Sequence, residues 1–169
     1  MAKRESRPWI VSDGLCLPVE PLLPGSGPKL VAGRPRVPDR QALCGILFVL
    51  HTGIQWEYLP QELGFGSGMT CWRRLAAWNA AGVWDRLHVV LLGKLRAQGI
   101  KPVIARRGVL HGSGLGAHRW VVERTIAWFH GFRRLRIRWE RRDDIHEAFL
   151  GLATCLITHR HVQCLCQDL

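Results

Sequence analysis

Acidic side chains are scarce in this chain. Its 169 residues hold 13 Asp and Glu against 24 Lys and Arg, a net charge of +11, and the pI is about 10.4. The shortage is even: residues 1–100 carry 12 basic and 7 acidic residues, and 101–169 carry 12 and 6. Such a balance leaves little to hold a cationic partner and favours a polyanion, nucleic acid first. Most of the cations are Arg, which forks onto phosphate and stacks on bases. A merely basic, soluble protein is the bland alternative.

Long apolar runs are missing too. The best, LCGILFVL, is too short to span a membrane. Met1 to Pro8 is charged and no apolar segment of signal-peptide type follows, so a cytoplasmic location is expected. The six cysteines are scattered, which in that setting reads as reduced thiols. THRHVQCLCQD groups His159, His161, Cys164 and Cys166, at a spacing tighter than that of usual structural zinc sites. What is plentiful is apolar content, 47%, with eight tryptophans along the chain: enough for a core, and unlike a disordered polypeptide.

Three regions are expected. Residues 1–37, rich in Pro and Gly, read as an extended arm with a short apolar start. Residues 38–99 read as a helical DNA-binding domain. In DRQALCGILFVLHTG, Asp39 suits an N-cap, apolar residues recur at helical spacing and Gly53 ends the helix. Thr70 suits the cap of a shorter helix, CWRRLAAWNAAG, and Val83 to Gln98 makes a third, ended by Gly99. Three helices with a short, exposed, basic one in the middle outline a helix-turn-helix-like module. Residues 100–169 offer a short strand at KPVIARR, a helix from His118 to Leu135, and a last helix opened by Asp144 and Glu147. The loop GVLHGSGLG lacks the Lys-Ser/Thr pair of a phosphate cradle.

On the middle helix Arg73, Arg74 and Asn79 are the candidate DNA contacts, Arg for phosphate or guanine edges and Asn for adenine. Arg133, Arg134, Arg136, Arg138, Arg141 and Arg142 suit a phosphate-tracking surface. The basic GRPR of the arm is a weaker candidate for a minor groove. Arg119 and Glu123 lie four apart on one helix face, which by spacing alone is an ordinary ion pair worth a few tenths of a kcal/mol. His130 follows seven residues on, near the same face.

HRWVVERTIAWFHGFRRLRIRWERRDDIHEAFLGLATCLI resembles the C-terminal end of bacterial insertion-sequence transposases of the DDE type, in the insertion sequence five family. GILFVLHTGIQWEYLPQELGFGSGMTCWRRLAAWNAAGVWDRLH is similar to the same family's N-terminal end-binding domain. The resemblance implies a ribonuclease H-like α/β core in which two strand aspartates and one helix glutamate hold two Mg2+ ions for attack at phosphorus. Glu123 matches that glutamate, Arg119 its motif partner, and His130 an accessory position. The two aspartates have no counterpart, because no Asp or Glu stands between Asp85 and Glu123.

The expectation is therefore a mainly α chain with an internal deletion near Gly99. A helix-turn-helix-like domain would be joined to a truncated remnant of the core, one short strand and two helices. It would bind double-stranded DNA at the terminal inverted repeats of an element in a bacterial nucleoid, alone or as an oligomer with itself or with an intact transposase. Metal would be held only if missing partners were supplied, so cleavage is not expected of this chain alone. An active subunit completed in trans and an unstable pseudogene product are the alternatives.

Overall fold

Helix α2 (Asp39–Thr52) is the centre of the molecule because it is apolar on nearly every side. Ala42, Leu43, Ile46, Leu47, Val49 and Leu50 are all buried, and Gly53 ends the helix at φ 75°, a left-handed conformation that glycine adopts without strain. A computed structural model describes residues 7–25, 35–100 and 115–167, the side chains of 115–122 and 166–167 excepted. The other helices are α1 (Asp13–Val19), α3 (Gly68–Ala80), α4 (Val83–Ala97), α5 (Leu115–His130), the single turn α6 (Arg133–Arg136) and α7 (Asp143–Gln167). The fold is mainly α, and no strand occurs among the described residues. The strand expected at KPVIARR lies outside them.

Helix α7 packs on α3 and α4, and α3 packs on α2. Ile145, Ala148, Phe149, Leu152 and Ala153 follow a helical stripe and all face inward. Gly151 permits close approach, since a Cβ there would lie 3.0 Å from that of Trp84. One continuous core runs from Val11 to Cys155, across the boundaries expected at 37/38 and 99/100. Trp56 stacks on Phe149 with ring centroids 5.7 Å apart, and Trp78 meets Trp84 edge-on at 6.2 Å.

Four local expectations need correction. The apolar start of the arm is not extended: Val11, Leu15 and Val19, four apart, are buried and draw 13–19 into α1 despite Pro18 in its last turn. Asp39 is the first residue of α2 rather than its cap, and its carboxylate turns to Arg74. Ser67, not Thr70, caps α3, its Oγ accepting from the Thr70 backbone N–H at 3.2 Å. The helix expected from His118 to Leu135 breaks after His130, where Phe132 takes extended backbone and is buried beside the His51 ring.

Candidate nucleic-acid interface

Helix α3, expected to be exposed, is held between α2 and α7. Its buried residues include Cys71, Leu75 and Trp78, and Arg74 lies among them, 8% exposed. The Arg74 guanidinium meets the Asp39 carboxylate and donates from Nη2 to the Val37 carbonyl at 3.0 Å. Burial, with Arg36 nearby, holds its pKa below the usual arginine value. Asn79 is half-buried and donates from Nδ2 to the Asp144 carbonyl at 3.1 Å. The outward placement expected of Arg74 is corrected accordingly, and both residues fix α3 to its neighbours. Neighbouring positions on a helix point about 100° apart, so Arg73 faces solvent while Arg74 does not. Arg73 stands on an exposed ridge with Met69, Ala77 and Ala80. Beside it the Arg142 guanidinium lies over the Trp72 ring, 5.0 Å from its centroid.

The second basic group follows α5. Arg134, expected on its surface, is instead 5% exposed and paired with Glu140. Its Nε lies 3.1 Å from Glu140 Oε1, and its Nη1 donates to the Ile54 carbonyl at 3.0 Å. The indole N–H of Trp56 donates to the same Glu140 oxygen at 3.3 Å. Glu140 and Arg134 are six apart, a spacing with no helical meaning, so nothing in the sequence marked the pair. With Arg134 removed, Arg133, Arg136, Arg138, Arg141 and Arg142 remain exposed within ten residues.

Their neighbours differ. Arg138 pairs with Asp143, and Arg142 grips both oxygens of Asp144 at 2.9 and 2.6 Å. The Arg142 hydrogen bond holds the Asp144 carboxyl below the usual carboxylate range. Arg136 donates to the His130 carbonyl at 2.7 Å. Among the described residues Arg133, Arg136 and Arg141 have no carboxylate partner. They therefore present their charge to solvent.

The remaining candidates lie on α5. Glu123 and His130 are exposed on that helix, and the Arg119 side chain lies outside the described residues. Two divalent cations facing phosphate need several oxygen ligands. Among the described residues no three of His, Cys, Asp and Glu converge as such a centre requires. In the C-terminal His/Cys group His159 is buried, while His161 Nδ1 sits 2.7 Å from the Ile157 carbonyl.

Comparison with known proteins matches residues 11–88 to the family described as "Putative transposase of IS4/5 family (DUF4096)" and residues 64–158 to "Transposase DDE domain". The chain is 58% identical over 90 residues to the "Insertion element IS402 uncharacterized 16.2 kDa protein" of Burkholderia cepacia, covering 52% of this chain and 61% of that one. It is 71% identical over 63 residues to the "Putative transposase for insertion sequence element IS402" of the same organism, covering 37% and 30%. It thus spans less than two thirds of either curated relative. No solved structure matches.

Proposed function

The chain belongs to the DDE transposase family of insertion elements, and from that premise we propose that it binds element-end DNA without cutting it. One observation carries the binding: five arginines exposed between 133 and 142, three of them with no carboxylate partner among the described residues. Guanidiniums so placed displace counterions from a phosphate backbone. Arg73 and Arg142 extend the basic surface along the α3 ridge. The same reading includes an internal deletion, since no carboxylate stands between Asp85 and Glu123 to complete a metal centre.

The test is binding of the full chain to a labelled element end and to a scrambled duplex across a salt series. Changing Arg133, Arg136 and Arg141 to Ala together is expected to weaken binding and to lower the salt slope by about 0.9 for each phosphate no longer neutralised. An unchanged slope would remove this surface from the interface. Preference for the end over the scrambled duplex is expected to fall with Arg73→Ala. With magnesium present no nicking is expected, and nicking abolished by Glu123→Gln would overturn the loss of catalysis.

A further inference from the structure

The loop between α6 and α7 presents more than charge. Ile137 has extended backbone, φ −133° and ψ 137°, and is 61% exposed, while Trp139 is 51% exposed. Both stand among Arg136, Arg138 and Arg141. The loop is fixed at its two ends. Arg134, three residues before Ile137, and Glu140, directly after Trp139, form the buried pair tied to Trp56 and to the carbonyl of Ile54. Arg138, between the two apolar residues, is tied to Asp143. An indole that belonged to the core would have been drawn inward by such anchoring. This one is held half out of it.

We propose that loop 136–141 is a stacking platform for an unpaired base, and that its ligand is single-stranded DNA. A duplex hides its base faces, whereas a single strand offers a π-face for every base. Trp139 supplies the stacking surface with Ile137 beside it, and Arg136 and Arg141 supply charge for the flanking phosphates. A second copy of the chain is disfavoured as occupant, because five arginines within ten residues would face their own image. The inference rests on the DNA-binding reading and specifies a form of DNA that reading does not require.

The experiment compares a labelled oligothymidine of about 12 nucleotides, within the span that one such site covers, with a duplex of the same length. It uses the full chain and the variants Trp139→Ala and Trp139→Phe, with the thermal melt of each recorded. The wild-type chain is expected to bind both probes. Trp139→Ala is expected to lose about tenfold in single-strand affinity, within the range that one stacked base contributes. Trp139→Phe should keep most of that affinity, and duplex binding should stay nearly unchanged in both variants. Equal losses on both probes, or none, overturn the proposal. Binding of duplex but not of oligothymidine overturns it and leaves the duplex reading standing, while binding of neither removes both. A dimer that Trp139→Ala converts to monomer, with single-strand affinity unchanged, would make the patch a self-association site instead and overturn it.

Discussion

Arg134→Ala is expected to destabilise the fold more than any other arginine change. The guanidinium is 5% exposed and the Glu140 carboxylate 11%. Losing Arg134 strands a buried carboxylate with one remaining donor, the Trp56 indole, and leaves the Ile54 carbonyl without its partner. The ring of Phe149 loses the cation 6.0 Å from its centroid. Removing one member of a buried ion pair costs about 3–5 kcal/mol, chiefly because the other charge stays desolvated. For a chain of this length that corresponds to a fall in Tm of roughly 6–20 °C. Glu140→Ala should cost a similar amount. The double change Arg134→Met, Glu140→Leu should recover much of the loss, because a well-packed apolar pair of similar volume is often neutral or better. The assay is urea unfolding of all four proteins, each compared with the wild-type chain. Single variants each losing less than about 1 kcal/mol, as exposed pairs do, would refute the argument. So would a double variant as unstable as the sum of its parts.

Gly68→Ala should be destabilising although it adds a good helix former, because its Cβ would fall 1.8 Å from the Trp56 carbonyl oxygen; overpacking of this kind costs about 1–3 kcal/mol, and a raised Tm would contradict it. His51, His88 and His159 all have pKa values lowered first by burial. The unfolded chain therefore binds more protons as pH falls through their ordinary range near 6.5. Stability should be complete above that value and decline below it, and a Tm that stays level from about pH 7.5 to 5.5 would count against this. A fragment ending at residue 100 should fail to melt cooperatively, since it bares Trp84, Leu87 and Leu91, while circular dichroism showing the same sharp transition as the whole chain would refute a shared core.

Legibility in the sequence followed how local each determinant was. The bounds of α2 and α4 were readable because their period is helical and glycines end them, Gly53 at φ 75° and Gly99 at 77°. The stripe of α7 was readable for the same reason. Composition misled at α1, where Pro and Gly suggested an arm although Val11, Leu15 and Val19 already carried the helical spacing. The break after His130 was hidden because Arg-rich sequence continues a helical pattern across Gly131, and only the burial of Phe132 decides against it. For the candidate site, arginine content could not sort exposed members from buried ones. Arg74 and Arg134 are interior because Asp39 and Glu140, at 35 and 6 residues' distance, reach them in three dimensions.

The Arg134–Glu140 pair also bears on how the C-terminal segment is held, since it reaches Trp56 and the Ile54 carbonyl. Residues 101–169 carry long apolar faces, Phe149 and Leu152 among them, that need cover from elsewhere in the chain. The structure supplies the cover from upstream: Phe149 stacks on Trp56, Gly151 seats against Trp84, and Cys155 donates to the Trp84 carbonyl at 3.2 Å. Burial pushes the Cys155 thiol up to about 12, so it stays neutral in the core. Each of Ile145, Phe149 and Leu152 contributes about 1.5–3 kcal/mol by leaving water. The segment carrying Glu123 is thus attached to one that the upstream helices require. Helix α7 therefore serves the core through α3 and α4, whatever the chemistry of the segment before it.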